Sequence, residues 1–588
     1  MSRLQRFEFR RVPVRRFLTI ADWLPSYSFS TLRHDLIAGL TVSVILIPQA
    51  MAYALLAGVP PVYGLYASIV PLLVYPLFGT SRHIALGITA IDALIISAAV
   101  SLFATPMTPE YIALVIVLAL ITGIIQLGLG LFKLGFVVNL LSGPVITGFM
   151  AAAALTISVS QLKYIAGVSI DRSSSVIETV GFLFSSVGET HLPTLALGVS
   201  SIVILALLVR FVPRAPGPLI VAVIATLAVW LLKMNDVGVS VVGEISAGLP
   251  ALSAVELSFS NIRNLTPAAI TLALVQFMAV MSLGKMYAAK HRYIIKPNRE
   301  LISIGMSNIV GSFFKSMPVS ASFARSAVNE RAGSSTPAAN AIAAMAVALA
   351  IMFLTGLLFY LPEAALAAII IVTVLGLIDI ERVKFLFRAK RVDGLIAVVT
   401  FLATLVIGIT EGVVIGITAS VIAIMYRISR PNVAELGHLP GTRSFRSLDR
   451  YPEAERIEGV IILRVDASFS FVNADFLRDL LLERSVLEAD IREIVIDASS
   501  INDLDTSAAT ALASAARTLR DREIEIYFGG VKDPVLDTMR LCGLLDQVGE
   551  DHFFLSPHRA IQDILDKREQ EKTETENDPA RRATEQVH

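Results

Sequence analysis

Residues 315–333 read KSMPVSASFARSAVNERAG. Small and polar residues lead up to an arginine, Arg325, and apolar stretches flank the segment on both sides. ISIGMSNIVGSFF (302–314) precedes it and AANAIAAMAVALAIMFLTGLLFY (338–360) follows it. An arginine at membrane depth costs about 2.5–3.5 kcal/mol on insertion scales, so an ionisable residue there points to function. Ser322 and Arg325 are three apart and share one helical face. SASFARSA also suits a small-residue packing face between membrane helices, but packing alone does not call for an arginine.

The rest of the chain supports a membrane setting. Hydrophobic residues make up 55% of it and charged residues 17%, against about 25% charged in soluble domains. The charges are scarce from Leu36 to Ile428, where apolar runs of roughly 20 residues recur, each long enough to cross a hydrocarbon core of about 30 Å. About fourteen such segments are counted, and beyond Arg430 the composition becomes that of a soluble domain. Basic stretches such as MSRLQRFEFRRVPVRR (1–16), GKMYAAKHRYIIKPNRE (284–300) and ERVKFLFRAKR (381–391) mark the cytoplasmic side. GVSIDRSSSVIETV (167–180) and KMNDVGVSVVGEISAG (233–248) are mixed or acidic and are expected outside. The even count is consistent with both termini in the cytoplasm. No cleavable signal peptide is read from the first 30 residues. The single cysteine, Cys542, suits a reducing compartment.

Two segments differ from the rest. The third, TSRHIALGITAIDALIISAAV (80–100), and the tenth, the opening stretch, both begin with short polar or small residues. Both are third of seven. Matching short segments in two halves point to a transporter site built on an inverted repeat. Two half-helices whose N-termini meet at the bilayer midplane would offer unpaired N–H groups and dipoles to an anion. Each end contributes about 0.3–1 kcal/mol, up to ~2 when partly buried. Two ends and a guanidinium approach the roughly 4 kcal/mol of a millimolar complex, a scale that still allows release. The candidates on these ends are Thr89 and Ala90 in the third segment, and Ser322, Phe323, Ala324 and Arg325 in the tenth. Thr89 and Asp92 share a face as Ser322 and Arg325 do.

The soluble part alternates strands with helices. GVIILRVDASFSF, REIVIDAS and EIEIYFGGV read as strands, separated and followed by helical stretches, which predicts a helix-covered α/β sheet. The expected divisions are a basic N-terminal segment at 1–34, a transmembrane domain at 35–430, a linker at 431–455, the α/β domain at 456–566 and a disordered tail at 567–588. No phosphate-binding loop and no metal-ligand cluster is found, so neither an enzyme nor a cofactor is expected. Zero net charge gives no reason to invoke nucleic acid.

Three stretches, in order, resemble the sulfate permease (SulP) anion transporters. DLIAGLTVSVILIPQAMAYALLAGVPPVYGLYASIVPLLVYPLFGTSRHIALG is similar to their opening signature. NRELISIGMSNIVGSFFKSMPVSASFARSAVNERAGSSTP resembles their ninth and tenth segments. IVIDASSINDLDTSAATAL resembles the sulfate-transporter and anti-sigma-factor-antagonist (STAS) domain that follows in most members. The resemblance implies two inverted seven-helix repeats, a core domain moving against a gate domain, and a homodimer in the membrane. It implies alternating-access transport of sulfate, bicarbonate, chloride or dicarboxylates. It also implies that Gln49 and Tyr53 line the anion pocket from segment 1, and Gln276 from segment 8; an interhelical hydrogen bond from Gln49 and a packed Tyr53 are the alternative.

Two departures matter. Many family members carry a glutamate in segment 8 where this chain has Ala279, so a cation-coupling role cannot be carried to that position. Asp92 stands in segment 3, where the family usually has an apolar residue. It is a candidate to replace the missing carboxylate, as a proton acceptor or as partner of Arg325. The other reading is that it complements the N-terminal end of its own helix. A proton is therefore a candidate co-substrate. An uncoupled exchanger or channel-like conductor, and a STAS-bearing scaffold with vestigial transport, are the rivals. In the STAS stretch, Ser507 falls where anti-sigma-factor antagonists are phosphorylated; a capping turn at Asp505, Thr506 and Ser507 is the structural alternative.

Overall fold

The computed structural model describes residues 18–136, 142–168, 176–212, 215–244, 248–487 and 490–577. The chain divides into two compact units, Met1–Ser420 and Val421–His588.

Each of the fourteen apolar segments holds a helix. They are α1 (Phe29–Ala57), α2 (Pro61–Phe78), α3 (Ala90–Val100), α4 (Pro109–Leu131), α5 (Gly143–Ala166), α6 (Leu192–Phe211) and α7 (Gly217–Leu232), then α8 (Phe259–His291), α9 (Pro297–Ser312), α10 (Phe323–Arg331), α11 (Ala338–Phe353), α12 (Glu363–Leu375), α13 (Arg391–Val406) and α14 (Ile409–Ser429). Local signals start and stop them. Ser28 caps α1 by accepting from Thr31 N–H at 3.2 Å, and Gly58 ends it in the left-handed conformation. The two shortest of these helices are α3 and α10. At 1.5 Å per residue, the 11 residues of α3 and the 9 of α10 cover only about half of the 30 Å hydrocarbon core. The third segment is not helical throughout: its first residues are extended and form a short strand, β1 (Leu86–Gly87). A second, β2 (Ser320–Ala321), precedes α10. The basic connection expected at 284–300 is largely helical, because α8 runs on to His291 and α9 starts at Pro297.

Small residues let the helices close on one another. A side-chain carbon on Gly123 of α4 would lie 2.8 Å from the carbonyl oxygen of Gly305 in α9, so this crossing needs glycine on both sides. Buried carboxylates hold the ends. Glu300, in the first turn of α9, accepts from Tyr75 Oη (2.9 Å) and from the N–H groups of Thr80 (2.6 Å) and Ser81 (3.0 Å). Asp35 of α1 accepts from Ser335 N–H (2.7 Å) and Thr336 N–H (3.0 Å), just ahead of α11. On the outer faces, Leu227, Trp230 and Leu231 of α7 and Leu395 and Leu402 of α13 are exposed, as a surface solvated by lipid requires.

The second unit contains a six-stranded sheet in the order β4-β3-β5-β6-β7-β8. The strands are β3 (Val433–His438), β4 (Phe445–Ser447), β5 (Val460–Val465), β6 (Glu493–Asp497), β7 (Glu525–Gly529) and β8 (Phe553–Phe554). β5 to β8 are parallel, and β3 is antiparallel to both its neighbours. Alternate residues serve opposite faces, as strand geometry dictates. Ile461, Leu463, Ile494, Ile496 and Phe528 join the core under α15 (Ala474–Leu487) and α16 (Thr506–Arg520). Ile462, Val495 and Tyr527 pack on Ala560, Ile561 and Ile564 of the last helix, Pro557–Asn577. Two sequence expectations are corrected here. The stretch 431–455 is not a free linker, since β3 and β4 within it complete the sheet edge. Residues 567–577, expected in a disordered tail, continue the last helix, and 578–588 lie outside the described residues.

Candidate functional site

The short strands organise the centre of the membrane unit. β1 and β2 pair antiparallel, Leu86 with Ala321 and Gly87 with Ser320. Each leads directly into a half-helix, β1 into α3 and β2 into α10. Because the strands run in opposite directions, the two helices depart in opposite directions from a common point, with their N-termini together. The two ends are built alike. Thr89 caps α3 by accepting from Asp92 N–H at 3.3 Å, and Ser322 caps α10 by accepting from Arg325 N–H at 3.4 Å. The N–H groups of Ala90 and Ile91, and of Phe323 and Ala324, stand ahead of each helix's own hydrogen-bond pattern.

Extended backbone at membrane depth needs partners, since no water is there to solvate it. They come from α10 and α11. Ser326 Oγ accepts from Ala85 N–H (2.9 Å) and Asn340 Oδ1 from Leu86 N–H (2.9 Å). Asn340 Nδ2 donates to the carbonyl of Ile84 (2.8 Å), and Asn329 Nδ2 to that of His83 (3.0 Å).

Arg325 is wholly buried. Its Nη2 donates to the carbonyl of Ile88 (2.9 Å) and its Nη1 to Gln49 Oε1 (3.2 Å), while Nε has no hydrogen-bond partner among the described residues. The guanidinium thus lies beneath the junction of the two helix ends and is already hydrogen-bonded to the protein. Gln49 and Tyr53 of α1 are buried on this side, and the Tyr53 hydroxyl faces Thr373 of α12.

Asp92 belongs to a second cluster. It accepts from Thr89 Oγ1 at Oδ2 (2.7 Å) and from Gln276 Nε2 at Oδ1 (3.2 Å). No hydrogen bond joins it to Arg325 among the described residues, although the two interact electrostatically. Asp92 thus stands in the first turn of α3, hydrogen-bonded to the cap of its own helix, and is also tied to α8. Thr89 and Ser322 are half-buried, and Phe323 and Ala324 are exposed, so the mouth between the helix ends is open while its floor is closed. Ala279, in α8, carries no ionisable group.

The sequence reading missed Ser326, Asn329, Asn340, Gln126 and Asn308. The last three are polar residues inside apolar runs, the signal that singled out Gln49. In the second unit, Asp505 caps α16, accepting from Ala508 N–H at 2.8 Å, and Ser507 is exposed in the first helical turn. No cluster of residues able to hold a metal ion occurs among the described residues.

The chain was compared with known proteins. Residues 32–400 match the sulfate permease family and residues 451–560 match the STAS domain. Over 563 residues the chain is 35% identical to "Sulfate transporter 4.1, chloroplastic" of Arabidopsis thaliana, covering 92% of this chain and 82% of that one. Over 552 residues it is 35% identical to a probable sulfate transporter of Mycobacterium tuberculosis, covering 93% and 98%. Among solved structures it is similar to murine Solute Carrier 26 family member A9, described as an anion transporter in the inward-facing state, with a TM-score of 0.87, 27% identity and 96% of each chain covered.

Proposed function

The chain belongs to the sulfate permease family of anion transporters, and from that premise we propose that it is a secondary-active carrier of small anions, working by alternating access. Sulfate is the first candidate substrate, because the relatives at 35% identity are named sulfate transporters. Bicarbonate, chloride and dicarboxylates are the rest of the class.

The observation that carries this reading is the pairing of two capped half-helix N-termini over the buried guanidinium of Arg325. The anion is held by the N–H groups of Ala90, Phe323 and Ala324 and by the hydroxyls of Thr89 and Ser322. Gln49 keeps Arg325 in place, and Tyr53 and Gln276 close the sides. Such a site replaces part of the anion's hydration without forming a trap. Asp92 is the coupling residue: it carries the transported proton, in place of the carboxylate missing at Ala279. The basic connections support cytoplasmic termini, and the protein works as a homodimer in the cytoplasmic membrane, with the STAS domain supporting dimerisation or regulation.

Uptake of labelled sulfate into proteoliposomes tests this, with unlabelled bicarbonate, chloride and dicarboxylates as competitors and with an imposed proton gradient. The expected result is saturable uptake that an inward proton gradient accelerates. No uptake of any of these anions would overturn the transport reading, and indifference to the gradient would overturn coupling.

A further inference from the structure

Four buried polar side chains form a directed chain that ends on Asp92. It begins at a donor whose polarity is fixed, the backbone N–H of Val319 just ahead of β2, which donates to Asn308 Oδ1 at 2.8 Å. Asn308 must then present Nδ2 on its other side, and it donates to Gln126 Oε1 (2.9 Å) and Gln276 Oε1 (3.2 Å). Gln126 consequently turns Nε2 to Gln276 Oε1 (2.8 Å). With Oε1 occupied twice, Gln276 has only its Nε2 donor to offer Asp92 Oδ1. Asn308, Gln126, Gln276 and Asp92 are each at most 1% exposed, so water does not rearrange the chain. An amide N–H facing Oδ1 excludes a proton there. A proton arriving at Asp92 must sit on Oδ2, which faces Thr89 Oγ1 at 2.7 Å.

We infer that Thr89 is the switch through which a proton on Asp92 loads the anion. With Asp92 charged, the Thr89 hydroxyl donates to Oδ2. With Oδ2 protonated, Asp92 becomes the donor, Thr89 Oγ1 accepts, and the threonine hydrogen is released toward another acceptor. Thr89 is the half-buried N-cap of α3, and the acceptor nearest in chemistry is an anion on that helix end. The proton enters from solution with the anion, resides on Oδ2 while the anion is held, and leaves when the anion departs. The two ligands therefore bind with positive cooperativity.

Other groups around Asp92 do not supply this donor. From α10, Arg325 is the charged group acting on it, and from α1, Tyr53 acts on Arg325. α8 and α4 contribute the amides of Gln276 and Gln126. The titratable residues of α5, Lys163 and Tyr164, are in its last turn.

The inference rests on Asp92 being the coupling residue, and the experiment separates the two. KM for sulfate is measured in proteoliposomes across a pH series, and the ratio of its alkaline to its acid limit is compared among variants. Thr89→Val lacks the hydroxyl and keeps the shape. It should reduce that ratio by about tenfold or more, the worth of one hydrogen bond to an ion, and Thr89→Ser should restore it. Loss of pH dependence in Asp92→Asn together with a wild-type ratio in Thr89→Val would overturn the switch and leave the coupling reading standing. Wild-type pH dependence in Asp92→Asn would overturn the coupling reading itself. Should Thr89→Val fail to assemble, Asn308→Ala carries the test. It frees the Gln276 amide to invert and accept from Asp92, which should move the midpoint of the pH profile to higher pH; an unmoved midpoint would overturn the inference.

Discussion

Gly87 lies so close to Arg325 that a side-chain carbon on the glycine would come within 3.0 Å of Nη2. The same carbon would lie 3.2 Å from Leu46 Cδ1, and φ at Gly87 is +139°, a conformation that L side chains rarely adopt. The glycine thus allows β1 to pass over the guanidinium. Gly87→Ala is expected to cost about 1–3 kcal/mol in backbone strain alone and to displace Arg325 from Ile88. Transport should fall more than protein yield does. Flux in proteoliposomes, normalised to the amount of folded protein, checks this; normal flux would show that the contact is not needed.

Arg325 and Gln49 form the next test. The guanidinium reaches two acceptors at once, Gln49 Oε1 and the carbonyl of Ile88, and a lysine has neither the fork nor the length to serve both. Arg325→Lys should therefore leave a buried acceptor unpaired, at about 1–3 kcal/mol, and lower anion affinity or turnover by about tenfold. The exposed Arg210 supplies the control, because solvent and salt screen its charge. Equal KM and turnover in the lysine variant and the Arg210→Ala protein would contradict the role given to Arg325.

The membrane fold was legible in the sequence because hydrocarbon imposes a simple rule: apolar runs of bilayer length between charged connections. The short segments were legible too, since Arg325 and Asp92 have no reason to be in apolar surroundings unless something there uses them. The strand pair β1–β2 was not. Two residues at 86–87 and two at 320–321 have no periodicity, and the extended backbone of residues 83–86 is held by Ser326, Asn329 and Asn340, far along the chain. The position of Arg325 beneath the site was hidden for the same reason. Its partners Gln49 and Ile88 lie 276 and 237 residues away, and spacing on one helix says nothing about them. In the soluble part the alternation in β5 and β6 was clear, whereas β3 and β4 were obscured by the Pro and Gly residues that bound them.

Glu300 offers a stability test away from the anion. Its carboxylate collects the Tyr75 hydroxyl and the backbone N–H groups of Thr80 and Ser81, and so clamps the end of α2 to the start of α9. All of these partners are donors. Glu300→Gln puts an amide N–H against them, and the loss should be about 1.5–3 kcal/mol, the range for hydrogen bonds to a charged group. Thermal unfolding of the detergent-solubilised protein should show a lower midpoint. An unchanged midpoint would mean that the clamp contributes no net stability.

The last helix, Pro557–Asn577, gives a test of where the soluble unit ends. The composition of its final turns is charged and polar, which invites truncation near Asp566. Arg568 lies just beyond. It donates from Nη1 to the carbonyl of Glu458 at 2.7 Å and pairs with Glu493 of β6 through Nε and Nη2. These bonds fasten the helix to the chain just ahead of β5 and to the first residue of β6, next to the apolar contacts of Ile561 and Ile564 with Val495 and Tyr527. Ending the chain after Asp566 keeps the apolar contacts and removes the arginine, leaving the half-buried Glu493 without its partner. Truncation there should destabilise the unit by about 1–3 kcal/mol, whereas ending after Asn577 should not. Hydrogen exchange distinguishes the cases: the shorter protein should lose amide protection in residues 557–566 and at the start of β6. If both truncated proteins exchange alike, the Arg568 contacts add nothing and the unit ends where composition suggests.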